Sequence, residues 1–139
     1  MVEQNKAIVR RLVDGVWVKR DLNVFDAVFS EKFVDHNPMG ADPGKAAFKQ
    51  VIMGFHAAFS EDHTTIEDII AEGDKVVWRW SYRGKHTGPL MGMPPTGKHV
   101  TVSGINIDRI EGGQIVERWH QVDLAGLLKQ IGGTPPAGR

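Results

Sequence analysis

The chain has 139 residues, of which 41% are hydrophobic and 24% are charged, and this length fits one domain with a buried core. Its 17 basic side chains balance 17 acidic ones, so its charge gives no reason to expect nucleic acid or an anionic membrane as a partner. The absence of cysteine excludes disulfides, thiolate chemistry and cysteine-based zinc sites.

The first half of the chain has the periodicity of helices. Apolar side chains recur at helical spacing over residues 3–19, and a short second helix follows Asp21, a suitable N-cap. Residues 33–38 are expected to be extended. Asp42, followed by proline and glycine, predicts the start of a third helix, which runs to about residue 59.

The second half changes to the periodicity of strands, and a Gly/Pro-rich loop is expected at 87–98. The predicted strands span residues 64–71, 75–86, 100–110 and 115–122. A short helix is expected over 123–131. Helices followed by strands predict an α+β fold, with a curved antiparallel sheet covered by helices on one face. We expect a single domain over 1–133 and a loose tail over 134–139.

The strand over 75–86 has two unusual faces. Trp78, Trp80 and Tyr82 alternate with residues that include Arg79 and Ser81, so one face is aromatic and the other carries an arginine. If the aromatic face is the outer one, a second subunit is expected to cover it, which predicts a homodimer through the outer sheet face. The alternative is that the aromatic face is the core and Arg79 faces water.

Polar residues near the end of the chain are candidates for a pocket. Trp119, Gln121 and Asp123 share one face of the last strand if no bulge intervenes. Asp123 stands at the junction with the last helix, where it serves as an ordinary N-cap, as an acid–base residue, or as both. Asn106 lies between two isoleucines, where it either orients a ligand oxygen or faces solvent.

Other chemistries find little support in the sequence. The six histidines are dispersed, without a His-x-x-x-His pair, and no phosphate-binding loop, dinucleotide fingerprint or nucleophile elbow is present. We therefore expect neither a metal nor a cofactor. The polar N-terminus and the lack of an apolar run of roughly 20 residues predict a cytoplasmic protein without membrane contact.

Three segments have a recognisable pattern: residues 84–96 read GKHTGPLMGMPPT, residues 104–115 contain Gly104 and the RIEGGQI sequence, and residues 123–132 read DLAGLLKQIG. Together these segments resemble the SnoaL-like polyketide cyclases of the nuclear-transport-factor-2-like superfamily. The helical first half and the Asn37-Pro38 pair also fit, so the likeness covers nearly the whole chain.

This resemblance implies a cone formed by a strongly curved sheet around three helices, usually dimeric, with a role in bacterial-type secondary metabolism. It implies that Asp123 is the acid–base catalyst of an intramolecular aldol ring closure on a small, apolar, carbonyl-containing molecule. A pocket histidine of the family falls on Asn106 here. Burial would raise the pKa of Asp123 toward a useful range, whereas pairing with Arg79 would lower it. The candidate substrate-binding residues are Asn106, Gln121, Arg79, His86, Trp119 and Asn37.

Two other functions stay open from the residues. An epoxide hydrolase of this superfamily needs an arginine between two aspartates, and Arg79 and Asp123 supply two of these three groups, but Ser81 stands where the second aspartate is needed. A non-catalytic module that binds small molecules or assists assembly has the same fold. A steroid-isomerase function has less support, since Tyr82 is expected on the face opposite to Asp123.

Overall fold

The computed structural model describes residues 1–132. Its helices are α1 (Val2–Leu12), α2 (Leu22–Val28), α3 (Lys45–Ala58) and α4 (Leu124–Gln130), and α1 continues directly into a π-helical turn over Val13–Val18. Its strands are β1 (Phe29–Asp35), β2 (Phe59–Glu72), β3 (Lys75–His86), β4 (His99–Glu111) and β5 (Gln114–Val122). The predicted tail over 134–139 lies outside the described residues, and the single-domain expectation over 1–133 stays a prediction.

The five strands form one curved, unclosed sheet in the order β1-β5-β4-β3-β2. The α+β prediction is confirmed, but the sheet is mixed, because β1 runs parallel to β5 while the other neighbours are antiparallel. The four strands predicted in the second half are antiparallel as expected, and the parallel neighbour is β1, which was expected only as an extended piece. The chain makes three more strands before β5 returns beside β1, so no local turn signal marks this pairing.

The core lies between the inner face of the sheet and the helices. At one end, α2, β1 and α3 bring four phenylalanines together, and Phe25 and Phe29 stack with ring centroids 4.6 Å apart. Phe33 and Phe48 complete this cluster. Burying such aromatic side chains is the main driving force for folding at this end, because each removes a large apolar area from water.

The aromatic face of β3 is the inner face of the sheet, whereas the dimer prediction required it to be the outer face. Trp78 and Tyr82 are buried on the inner face, with the half-buried Trp80 between them. Arg79 lies on the outer face, where its guanidinium pairs with Asp68 at 2.7 Å. The aromatic residues therefore belong to the core, so the argument from them to a dimer was wrong, and the homodimer itself stays a prediction.

Membrane insertion through a helix finds no support in the described part of the chain. None of the helices in residues 1–132 combines the length and the apolar character that crossing a bilayer requires.

Gly104 lets β4 pass close beneath the ring of Trp80. A Cβ at this position would lie 2.4 Å from Trp80 Cζ2 and 2.8 Å from the Gln121 carbonyl oxygen. We expect Gly104→Ala to displace the indole and to lower the free energy of unfolding by about 1–3 kcal/mol, measured by urea denaturation.

The matched control is Gly54→Ala on the exposed face of α3, where an added Cβ meets nothing within 4 Å. This change should raise stability by up to about 1 kcal/mol, because alanine is the better helix former. Equal stability of the two variants would contradict the proposed packing of Trp80 on Gly104.

Candidate active site

A pocket opens between the inner face of the sheet and the helices. Its empty space, counted out to the mouth and into the solvent there, is about 750 Å³. The helical wall is apolar, with Trp17 from the π-helical turn and Val51 and Phe55 from α3. The opposite wall includes the aromatic side chains of β3. Such walls favour a largely apolar, planar ligand.

The polar groups of the pocket concentrate on neighbouring strands. Asn106 pairs directly with His120 across β4 and β5, and Asp108 pairs with Arg118 one step further along the inner face. Asn106, Arg118 and His120 all line the pocket. Strand alternation places them on one face, so one side of the cavity is polar while the rest stays apolar.

His120 forms a pair with Asp35, which stands at the end of β1. Its Nε2 lies 2.9 Å and 3.0 Å from the two carboxylate oxygens of Asp35, and the His120 side chain is 10% exposed. An ionised carboxylate only accepts hydrogen bonds, so Nε2 carries the proton. In the neutral imidazole, Nδ1 is then left with a free lone pair. This arrangement leaves Nδ1 of His120 able to accept a hydrogen bond.

Asn37 ties the two members of this pair together. Its backbone N–H donates to Asp35 Oδ1 at 2.9 Å, and its side-chain oxygen accepts from the His120 backbone N–H at 2.8 Å. The parallel pairing of β1 with β5 brings these groups into reach. Asn37 is therefore a positioning residue beside the pocket rather than part of its lining.

The surroundings of Asp35 favour its ionised form. Burial pushes its pKa upward, but the hydrogen bonds from His120 and from the Asn37 backbone, with the charges of His120 and Arg118, outweigh that effect and hold the pKa below its ordinary value. The carboxylate therefore stays charged at neutral pH, and a protonated His120 would have a negative partner at hydrogen-bond distance.

A second ion pair lies deeper. The Arg118 Nε and Nη2 donate to the two oxygens of Asp108 at 2.6 Å and 2.8 Å, and Trp78 Nε1 donates to the same carboxylate at 2.9 Å. Asp108 is 0% exposed and Arg118 only 2% exposed. The guanidinium also lies between 5 and 6 Å from the ring centroids of Phe29, Phe48 and Trp78.

The pocket wall also carries a phenol. The Tyr82 hydroxyl donates to Asp62 Oδ2 at 2.5 Å, and Arg20 binds the same oxygen at 3.0 Å. Burial, together with the hydrogen bond to Asp62 and its negative charge, raises the pKa of Tyr82 far above its ordinary value. Tyr82 is therefore a neutral wall residue at physiological pH.

Asp123 does not lie where the resemblance led us to expect. Its side chain is exposed, it is absent from the pocket lining, and its Oδ1 accepts from the Gly126 backbone N–H at 2.9 Å. It is the N-cap of α4. The expectation of a sheltered carboxyl was wrong, because the residue follows the end of β5 and its carboxylate turns to the free amides of the next helix. Its part in catalysis stays a prediction.

The structure separates the other candidate substrate-binding residues. Asn106 is in the pocket, where its Oδ1 accepts from Trp80 Nε1 at 3.1 Å. His86 is fully buried outside the lining and binds Thr96 at 3.0 Å within the loop before β4.

Besides Asn37 and His86, three more candidates lie outside the pocket lining, and their part in substrate binding stays a prediction. Trp119 stacks on His36 with ring centroids 4.6 Å apart, and Gln121 is exposed, both on the face of β5 opposite to His120. Arg79 is on the outer face and pairs with Asp68 rather than with Asp123. Once the aromatic face of β3 is the inner one, strand parity excludes all three.

The sequence analysis missed Asp35, Arg118 and His120 as site residues. The signal for Arg118 and His120 was present, because they alternate with outward-facing residues in the strand paired to Asn106 and Asp108. The correct choice of inner face for β3 would have pointed to them. Asp35 gave no comparable signal, since only the pairing of β1 with β5 brings it to His120.

The donors do not form a recognisable metal site. Within residues 1–132, no group of three or more His, Asp or Glu side chains is arranged to hold an ion. The polar groups present are suited to proton transfer and to hydrogen bonds with ligand oxygens.

This fold and pocket define a class: a small α+β protein with a largely apolar pocket whose wall carries a histidine paired with an aspartate. Residues 7–131 match the model of the SnoaL-like polyketide cyclase family. The chain belongs to this family.

Two curated relatives and one solved structure are similar to this chain over most of its length. The chain is 32% identical over 100 residues to nogalonic acid methyl ester cyclase from Streptomyces nogalater, which covers 70% of this chain and 73% of that one. It is 30% identical over 131 residues to aklanonic acid methyl ester cyclase DauD from Streptomyces sp. strain C5, covering 90% and 80%. The structure of TsrD from Streptomyces laurentii superposes with a TM-score of 0.84 at 25% identity, covering 94% and 96%.

The depressed pKa of Asp35 makes a prediction about stability. Its ionised form contributes to folding at pH values above the ordinary carboxyl pKa of about 4, and this contribution is lost as the pH falls below that value. The difference in unfolding free energy between the wild type and Asp35→Asn should therefore shrink on acidification, measured by urea denaturation between roughly pH 6 and pH 3.

The same titration on a His120→Gln background provides the control. Without His120, the stability difference should decrease less on acidification, because the His120 hydrogen bond and charge both help to lower the pKa of Asp35. An Asp35→Asn difference that grows toward low pH would contradict the assignment.

Proposed function

We propose that this protein is a cofactor-independent cyclase that closes a ring in a small, apolar, polyketide-like carbonyl compound by an intramolecular aldol reaction. Family membership and the two ester cyclases among its relatives support this reaction class. The observation that carries the proposal is the His120–Asp35 pair, held with His120 in the wall of an otherwise apolar pocket. We assign the proton transfer to this pair.

The first step is removal of a proton from a carbon next to a carbonyl. Nδ1 of His120 accepts the proton, the C–H bond breaks, and its electron pair moves into an enolate. Asp35 keeps the imidazole in the correct tautomer and stabilises the imidazolium that forms, as the carboxylate of a catalytic triad does. In this proposal the Asn106 amide, opposite His120 in the sheet, donates a hydrogen bond to a carbonyl oxygen whose negative charge is increasing.

The second step forms the ring. The enolate carbon attacks a second carbonyl of the same molecule, a carbon–carbon bond forms, and the electrons of that carbonyl move to its oxygen. The resulting alkoxide takes the proton from the His120 imidazolium, which returns the histidine to its neutral form. The two steps together consume no oxidant or reductant, and the proton removed in the first step is returned in the second.

The apolar walls contribute by shaping the substrate. A flexible chain with two carbonyls has many conformations in water, and a pocket bounded by the aromatic rings of Trp17, Trp78 and Trp80 restricts them. Holding the two reacting carbons close lowers the entropic part of the barrier.

The role that the resemblance assigns to Asp123 needs a direct comparison with His120. Asp123 is exposed and its carboxylate already caps α4, so it has neither the burial that would make it a stronger base nor a place in the lining. Asparagine is as good an N-cap as aspartate, so Asp123→Asn tests the charge while keeping the cap.

The test uses the methyl esters of nogalonic and aklanonic acid, because the relatives' names specify them. Ring closure is followed by chromatography, and exchange of the α-proton for deuterium by NMR. We expect His120→Gln to reduce both rates by at least about 100-fold, because it removes the general base. Asp35→Asn should reduce them as well, through loss of the tautomer and of the negative partner. Asp123→Asn should keep most of the activity.

The outcomes separate the possibilities. Activity that survives in His120→Gln but is lost in Asp123→Asn, with both variants folded by circular dichroism, would transfer the proton chemistry to Asp123. A wild-type protein that binds the esters without exchange or closure would instead be the non-catalytic binding module.

A further inference from the structure

The Arg118–Asp108 pair needs an explanation beyond folding. Taking two charges out of water costs several kcal/mol per ion, and well-packed hydrophobic residues of similar volume commonly give equal or better stability. Here both partners are almost completely buried in an aromatic core. Arg118 also lines the pocket. This placement points to a use for its charge within the cavity.

Two neighbouring side chains have donors left over. Arg118 uses Nε and Nη2 for Asp108, and within residues 1–132 its Nη1 donates no hydrogen bond. Asn106 uses Oδ1 as the acceptor for Trp80, and in the same part of the chain its Nδ2 has no partner. Both residues line the pocket and belong to adjacent strands, at neighbouring inner-face positions.

We propose that Arg118 and Asn106 form a binding site for one negatively charged oxygen on a planar apolar ligand, that is, a phenolate or an enolate. The site lies in the pocket of the proposed function, but it requires only binding and not ring closure, so the two can fail separately. Arg118 is already fixed by two bonds to Asp108, so its remaining N–H groups lose little freedom on binding. Hydrogen bonds from a charged donor in a shielded site are stronger than neutral ones.

The charges around this site restrict the ligand. Asp108 balances Arg118, and Asp35 adds a negative charge near His120. A compact, strongly hydrated anion would lose its water here and gain only two donors. A phenolate or enolate spreads its charge over a ring system that fits the apolar walls, so its desolvation costs less.

The probe is 7-hydroxycoumarin, whose absorption distinguishes the phenol from the phenolate, and its partner is 7-methoxycoumarin, which cannot ionise. We expect the wild type to bind the phenolate about tenfold more tightly than the methoxy compound, as charged hydrogen bonds allow. The apparent pKa of the bound hydroxycoumarin should fall accordingly. Both quantities are measured by titration with absorption and fluorescence.

Two variants remove the donors in different ways. Asn106→Asp keeps an acceptor for Trp80 but replaces the free amide with a negative charge. The double change Arg118→Met with Asp108→Asn removes both buried charges together and keeps an acceptor for Trp78, so no unpaired ion is left in the core. Each should abolish the preference for the phenolate while 7-methoxycoumarin still binds.

The matched control is Arg79→Met with Asp68→Asn, which makes the same charge changes in the exposed pair on the outer face. It should behave like the wild type. The proposal is overturned if the wild type shows no preference, if the preference survives in the folded pocket variants, or if the outer-face variant loses it equally. If circular dichroism shows that the double pocket variant does not fold, Asn106→Asp decides alone.

Discussion

The buried Asp108 carboxylate is the constraint on which the arrangement of the pocket depends. It receives two hydrogen bonds from Arg118 and one from Trp78, so it joins three adjacent strands at one point. An unpaired charge at this depth would be strongly destabilising, which means that the three strands must keep their register for the core to close. The same register places Asn106 opposite His120. A single requirement of charge pairing thus fixes both the core and the polar wall of the cavity.

Polarity is divided between the two walls in a way that orients a ligand. Within residues 1–132, the helical side chains that line the pocket are apolar, while the His120–Asp35 pair and the unused donors of Arg118 and Asn106 come from the sheet and from the end of β1. A flat molecule with oxygens along one edge can satisfy both walls in only a few orientations. Because the polar groups lie on one wall, a few polar contacts are enough to fix the orientation of such a ligand, as is usual for small-molecule pockets.

Local sequence signals predicted much of the fold. The strand predicted over 75–86 has the bounds of β3, and Asp21 caps α2 as expected. These local signals failed where a structural element depends on pairing with residues that are distant in the sequence. β1 was expected only as a brief extended piece, because its ladder is with a strand that follows some 80 residues later. The inner face of β3 could not be chosen from alternation alone, since neither face is plainly polar, and the wrong choice hid Arg118 and His120. Asp123 fits the family ending, but a carboxylate before a helix finds free amides close at hand.

Trp17 belongs to the π-helical turn that follows α1. Residues in such a turn are wound more widely than in an α-helix, so the direction of the indole depends on the pitch of the backbone as well as on the identity of the residue. In an α-helix each residue adds a rotation of about 100°. If this segment had α-helical hydrogen bonds instead of π-helical ones, the Trp17 ring would point in a different direction around the helix axis. The shape of this part of the helical wall therefore depends on the winding of one short segment.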